Sequence, residues 1–243
     1  MSTEKKNGLP PQHTMKQWTK IKGENAWTMF KVISEMVDGF ERLNEIGPCV
    51  SIFGSARTQP DHPYYKLAID VARKLTEQGF GVITGGGPGI MEAGNRGAKI
   101  YDGVSVGLGI DLPFEKGVND YVDVDKIFNH RFFFVRKVMF VKYAQGFVVL
   151  PGGMGTMDEL FEVLTLIQTK KITKVPIVLV GKDFWSGLKD WMNKVMYKQA
   201  GNISKPDLDW LPIVEDAQSA VEIICDFYKG KDSGELSPNY QLK

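Results

Sequence analysis

The segment Val148-Val149-Leu150-Pro151-Gly152-Gly153-Met154-Gly155-Thr156-Met157-Asp158-Glu159 carries the clearest chemistry in the chain. An apolar run stops at a proline, turns through glycines and opens a helix. Glycine lets the backbone approach an anion with no Cβ in the way. The free N–H groups of the helix start, and the positive end of its dipole, then favour phosphate. Thr156 adds a hydroxyl donor or a helix cap. A tight strand-to-helix turn does not require three glycines within residues 152–155, which points to a phosphate cradle made by Gly152, Gly153, Gly155 and Thr156. No Gly-Lys-Ser/Thr follows, so this is not a Walker A loop, and the spacing is not the GxGxxG of dinucleotide enzymes. A second run, Gly85-Gly86-Gly87-Pro88-Gly89-Ile90-Met91, has the same strand–loop–helix setting. Two such loops on one sheet place a ligand between them.

Two pairs of charges stand close by in sequence. Glu159 and Glu162, three apart on the helix that leaves the cradle, share a helix face. Carboxylates early in a helix also complement its dipole, and the spacing leaves both roles open. Arg136-Lys137 interrupts the apolar stretch Phe132–Val141; charges in such a place are paired or hold an anion. Arg136 is the better candidate for a ligand or carboxylate partner, whereas Lys137 could also snorkel to the surface. His13, His62 and His130 are far apart and show no metal spacing.

The elements that must position these groups alternate regularly. Strands are expected at Cys49–Phe53, Gly81–Thr84, Val104–Leu108, Tyr121–Ile127, Phe147–Leu150 and Val175–Val180. Helices are expected at Pro63–Gln78, Ile90–Tyr101, Asn129–Gln145, Met157–Thr169, Trp185–Gln199 and Ala217–Tyr228. This order implies an α/β fold, a doubly wound parallel sheet of the Rossmann-like three-layer α/β/α kind, over residues 47–228. Ahead of it, residues 1–23 read as a flexible arm. Glu24–Ile46 reads as an extra N-terminal amphipathic helix with Trp27, Phe30, Ile33, Met36, Val37, Phe40 and Leu43 at helical spacing. Residues 229–243 read as a polar tail. Both glycine loops fall after strands, where ligands bind in such sheets.

Composition narrows the function. Thirty basic and 29 acidic residues give a formal charge of +1, without the basic stripe of a nucleic-acid binder. A hydrophobic fraction of 43% supplies a core. Cys49 and Cys225 form no CxxC motif, which fits a reduced, cytoplasmic setting. No signal peptide, membrane span, metal set or pyridoxal phosphate feature is read, and no cofactor is expected. The apolar faces Trp27–Leu43 and Phe132–Phe140 lead to the expectation of a homodimer or higher homo-oligomer.

Taken together, these residues resemble the Lonely Guy family of nucleoside 5′-monophosphate phosphoribohydrolases, many of which carry the older label lysine decarboxylase. The family signature Pro-Gly-Gly-x-Gly-Thr-x-x-Glu is matched by Pro151–Glu159, and the preceding Arg-Lys pair by Arg136-Lys137. Gly54-Ser55 and Gly85–Met91 match the earlier loops, and the similarity runs over roughly residues 49–180. The resemblance implies hydrolysis of an N-glycosidic bond to free base and ribose 5-phosphate, with a small-molecule nucleotide as substrate: AMP or a cytokinin riboside 5′-monophosphate. It implies Arg136 and Glu159 as the catalytic pair and the cradle as the phosphate site. Ser55, Gly86, Gly87, Met91, Glu115, Lys137, Glu162 and Thr165 are its further nucleotide contacts. Asp158 and Glu162 are the candidates for an acid that protonates the leaving base. Molybdenum-cofactor carriers of the same fold are the alternative, and the presence of both Arg136 and Glu159 separates the chain from them. The long N-terminal segment and Phe132–Phe134 depart from short plant-type members of the family.

Overall fold

A computed structural model describes residues 15–111, 117–231 and 236–238, with side chains from residue 25 onward. Among these, seven strands form one parallel sheet: β1 (Cys49–Phe53), β2 (Gly81–Thr84), β3 (Ser105–Ile110), β4 (Ile127–His130), β5 (Ala144–Val149), β6 (Ile177–Val180) and β7 (Ile213–Val214). The spatial order is β4-β3-β2-β1-β5-β6-β7. The chain therefore winds outward from β1 in one direction and then from β5 in the other. The seam between β1 and β5 is the switch point, where the loops leaving neighbouring strands diverge and open a crevice.

The inner strands are buried on both faces, as their mostly apolar composition requires, and their polar residues Ser51, Thr84 and Gln145 are buried with them. Alternate residues feed two cores. Val50, Ile52, Val82, Val148 and Val178 pack under α2 (Pro63–Glu77), α3 (Ile90–Ile100) and α8 (Ala217–Tyr228). Phe53, Ile83, Val106, Phe147 and Val149 pack on the opposite face under α1 (Met15–Leu43), α4 (Phe133–Tyr143), α5 (Met154–Gln168) and α6 (Lys182–Trp191). The fold is the expected three-layer α/β/α arrangement.

Several boundaries differ from the sequence expectations, each for a physical reason. Helix α1 starts at Met15, within the stretch read as an arm; the polar residues there hide a helix that carries Gly23 in its interior. Its expected apolar face is only half used: Leu43 is buried and Met36 and Phe40 are partly buried, with the unexpected Val32, while Trp27, Phe30, Ile33 and Val37 are exposed. The strand expected at Tyr121–Ile127 lies at Ile127–His130, preceded by a single 3₁₀ turn, and takes residues assigned to the next helix. Pairing with β3 overrides local pattern there. The far end of that expected helix belongs to β5, which starts at Ala144. α5 begins at Met154 instead of Met157, so Gly155 and Thr156 lie inside its first turn. The helix after β6 passes into a π-helical stretch, Met192–Gln199, and is followed by α7 (Lys205–Asp209). α7 and the two-residue β7 were not foreseen, although Ser204-Lys205-Pro206-Asp207 carries a capping box and an early proline.

Candidate active site

Three loops meet at the carboxyl ends of β1, β2 and β5, and backbone hydrogen bonds stitch them together. The Ser55 N–H donates to Pro151 O at 3.0 Å, and the Ile90 N–H donates to Ser55 O at 3.0 Å. The glycines make this close approach possible. A Cβ at Gly54 would stand 2.6 Å from Ile90 Cγ2, and Gly89, at φ +69°, faces the Ser55 carbonyl. Gly86, at φ +73°, is held from beneath. The Asn119 N–H and Nδ2 both donate to its carbonyl, at 2.7 and 3.0 Å. Asn119 in turn joins the buried Asn95, Thr84 and Ser105.

Over these loops lies a cleft of about 670 Å³, a size that suits a nucleotide-sized ligand. One wall is Ser55, Ala56, Arg57 and Gly85, with Met91 folded across the glycine loop. The opposite wall is the start of α5: Gly153, Met154, Gly155, Thr156 and Glu159. Aromatic rings of Phe53, Phe133 and Phe140 complete it, with Arg136 among them.

The glycines of the α5 turn divide into two kinds. Thr156 folds back over Gly152, so any side chain at 152 would collide with the threonine; this glycine serves packing. Gly153 and Gly155 have nothing within 4 Å of a Cβ built on them. Neither has a positive φ. Backbone geometry and internal packing therefore do not require glycine at either place, and both border the cleft. The N-cap of α5, Gly153, has no side-chain cap bond, so the helix start presents its amides and dipole to the open space.

Glu159 is the principal acid of this cleft. It is 5% exposed, and its Oε1 lies 3.8 Å from Arg136 Nη2. Its Oε2 is buried with no hydrogen-bond partner among the described residues. Burial raises its pKa from the ordinary carboxylate value to about 7, against the opposing pull of Lys137 and Arg136. Arg136 is held over the Phe133 and Phe140 rings, at 5.2 and 5.7 Å from their centroids. A Cβ at Gly85 would stand 3.9 Å from its Nη1, so the guanidinium bridges the space between the two glycine loops.

The structure brings Ser55, Met91, Arg136, Gly153, Gly155, Thr156 and Glu159 to one cleft, and separates the other expected contacts from it. Gly86 and Gly87 lie behind the lining, where Gly85 takes the exposed place. Lys137, Glu162 and Thr165 line a neighbouring groove of about 590 Å³ with Asp158, on the far side of Met154. The reason is helical geometry: Lys137 follows Arg136 by about 100° around α4 and cannot face the same cleft. Its ammonium is instead 2.9 Å from both Asp158 and Glu162. Burial lowers the Lys137 pKa, but these two carboxylates outweigh it and leave the value above that of an ordinary lysine. Asp158 and Glu162 thus pair with Lys137 in the neighbouring groove and do not line the cleft that holds Glu159. The Thr165 hydroxyl donates to Phe161 O within its own helix. Glu115 lies outside the described residues. His130 is buried under the sheet edge with Nδ1 3.3 Å from Gly109 O, its pKa lowered by burial, and it does not line the cleft. Sequence reasoning missed Arg57 and the aromatic wall. Arg57 follows Gly54-Ser55 by two residues, a signal present in the chain but not used.

Residues 91–224, more than half of the chain, match the family model described as possible lysine decarboxylase. The chain belongs to this family, the Lonely Guy family. A relative in Mycobacterium marinum named cytokinin riboside 5′-monophosphate phosphoribohydrolase is 27% identical over 165 residues, covering 67% of this chain and 87% of that protein. A protein of the same name in Mycobacterium tuberculosis is 29% identical over 160 residues, covering 64% and 82%. Among solved structures, the molybdenum cofactor binding protein of Rippkaea orientalis superimposes with a TM-score of 0.56 at 20% identity, covering 75% of this chain and 98% of that one. The molybdenum cofactor carrier protein of Chlamydomonas reinhardtii gives 0.54 at 20% identity, covering 74% and 97%. These two likenesses show that Lonely Guy proteins and the carriers share a fold. Among the described residues of this Lonely Guy member, no cluster of His, Cys, Asp and Glu is arranged to hold a metal, and no helix is long and apolar enough to cross a membrane.

Proposed function

We propose that the chain hydrolyses the N-glycosidic bond of a nucleoside 5′-monophosphate, AMP or a cytokinin riboside 5′-monophosphate, to free base and ribose 5-phosphate. One observation carries the reading: a buried carboxylate, Glu159, sits beside Arg136 in a cleft whose other end is a helix start bordered by two glycines that the fold does not need. The names of the relatives support the same reaction class.

In this reading the 5′-phosphate rests on the first amides of α5, with Thr156 and Ser55 as hydroxyl donors. Glycine at 153 and 155 leaves room for its oxygens. The ribose lies over Glu159, and the base stacks against the aromatic wall. As the bond from C1′ to the base nitrogen breaks, positive charge spreads over the ribose ring. The Glu159 carboxylate stabilises that charge at short range, where the low-dielectric surroundings strengthen the interaction. Water adds to C1′ and gives its proton to Glu159, which passes a proton to the departing base nitrogen. One carboxyl group with a pKa of about 7 can serve as acceptor and then donor near neutral pH. Among the described lining residues the other charged groups are Arg57 and Arg136, neither of which can release a proton. Arg136 orients the carboxylate and the sugar hydroxyls through its planar fork. Phosphate anchoring contributes binding energy away from the reacting carbon.

The test is incubation of the purified protein with AMP, other nucleoside monophosphates and isopentenyl-AMP, with chromatography of free base. Base release that collapses in Glu159→Gln is the expected outcome. AMP binding without base release would refute the reading and leave a non-catalytic carrier of the same fold.

A further inference from the structure

Helix α1 lies outside the segment that matches the family, yet it grips the helix that carries Arg136 along its whole length. α4 spans 11 residues, about 16 Å. At its amino end the N-cap, Phe132, provides no side-chain acceptor. The acceptor comes from α1: the Glu35 carboxylate receives the Arg131 N–H at 3.1 and 3.2 Å and the Phe132 N–H at 3.4 Å. Midway, a Cβ at Gly39 would stand 2.6 Å from Met139 Cε, a contact that only glycine permits without repacking. At the carboxyl end, the Tyr143 hydroxyl lies 3.1 Å from Phe40 O and 3.0 Å from Asn44 Oδ1. The same helix reaches the sheet edge, where Arg42 donates to Ile127 O at 3.1 Å and stacks on Phe128 at 4.3 Å.

The first of these contacts bears on the cleft. Arg136 stands one turn from the capped end, and its own N–H bonds to Phe132 O at 3.2 Å. Fixing the Arg131 and Phe132 amides therefore fixes the turn from which the guanidinium reaches Glu159. A carboxylate at that end also complements the α4 dipole. We propose that Glu35 is a positioning residue: supplied by α1 from 96 residues away, it caps α4 and so sets the placement of Arg136 against Glu159. The consequence for turnover rests on the hydrolase reading; the placement itself does not.

The experiment compares Glu35→Ala, Glu35→Gln and Tyr143→Phe in the full-length protein. Hydrogen exchange at the amides of residues 131–136, a carbon-detected NMR titration of the Glu159 carboxyl, and kcat and KM for AMP are measured for each. In Glu35→Ala, loss of protection at 131–136 is expected, with an upward move of the Glu159 titration because the nearby cation is displaced. kcat should fall between about tenfold and a hundredfold, more than KM rises, because the phosphate site on α5 is untouched while Arg136 loses its hold on Glu159 and the sugar hydroxyls. Glu35→Gln, whose amide oxygen still accepts, should restore most of the protection and the rate. Tyr143→Phe loosens the opposite end of α4 and should lower thermal stability with the Glu159 titration and kcat left as in wild type. An unmoved Glu159 titration in Glu35→Ala would overturn the proposal, as would equal effects of the Glu35 and Tyr143 variants. If wild type releases no base, the hydrolase reading fails, and the exchange and titration results still decide the role of Glu35.

Discussion

Replacing Glu159 with glutamine should make the protein more stable at neutral and alkaline pH while removing its proposed activity. The carboxyl is buried, and burial raises its pKa from 4.5 to about 7. At about 1.4 kcal/mol for each tenfold change in proton affinity, that displacement is worth roughly 3 kcal/mol. The native state holds this proton until pH 7, whereas the unfolded chain releases it near 4.5. The stabilisation is thus fully present below pH 4.5, declines as pH rises through the interval, and is lost above pH 7. Glutamine, which does not ionise, has no such decline. The two proteins should therefore be about equally stable near pH 4.5 and separate steadily up to pH 7–8. There the variant should lead by up to roughly 3 kcal/mol, or on the order of 6–12 °C in Tm for a domain of this size. Urea denaturation of both proteins at half-unit steps from pH 4.5 to 8.5 measures the gap, and titrating groups that do not interact with Glu159 cancel in the difference. Base release from AMP by the variant should fall by about 10²–10⁴-fold. In wild type, kcat should climb with pH and level off near 7 as the carboxylate forms. A gap that does not change with pH, or a variant less stable than wild type at pH 8, would refute the burial argument.

Two further outcomes follow from the cleft. Gly155→Ala should leave stability unchanged or raise it by up to about 1 kcal/mol, because alanine suits a helix better than glycine. Its Cβ occupies the open space beside α5, so KM for AMP should rise by about tenfold or more, and unchanged KM would remove the phosphate from that place. Lys137→Met should move the acid limb of the kcat profile to higher pH, because Lys137 is the larger of the two cationic influences that hold the Glu159 pKa down. A limb that stays in place would show that Asp158 and Glu162 already neutralise the lysine.

Much of this protein is readable along the chain because the signals are local. A proline and three glycines between an apolar run and a helix specify a strand-to-helix turn wherever they occur, and the alternation of elements specifies a parallel sheet. The spacing of Glu159 and Glu162 left a dipole role and a site role open, and only the family signature singled out Glu159, whereas Arg136 was legible as a charge set in an apolar stretch. The boundaries of β4 and α4 were not: Ile127–His130 has no strand signature stronger than that of its neighbours, and its pairing with β3 was settled by contacts between distant segments. The same limit explains the nucleotide contacts expected at Lys137, Glu162 and Thr165. Adjacency in sequence places Lys137 beside Arg136, and helical rotation sends the two side chains to different grooves.

The residue order thus dictates that a glycine-rich turn opens α5 and that a carboxylate follows it by one to two turns, since turn chemistry and helical period act over a few residues. The pKa of that carboxylate, the separation of Lys137 from the cleft and the capping of α4 by Glu35 depend on desolvation and on contacts across up to 97 residues of chain. Such interactions exist only when the layers are packed, because the dielectric and the distances that create them are properties of the assembled fold.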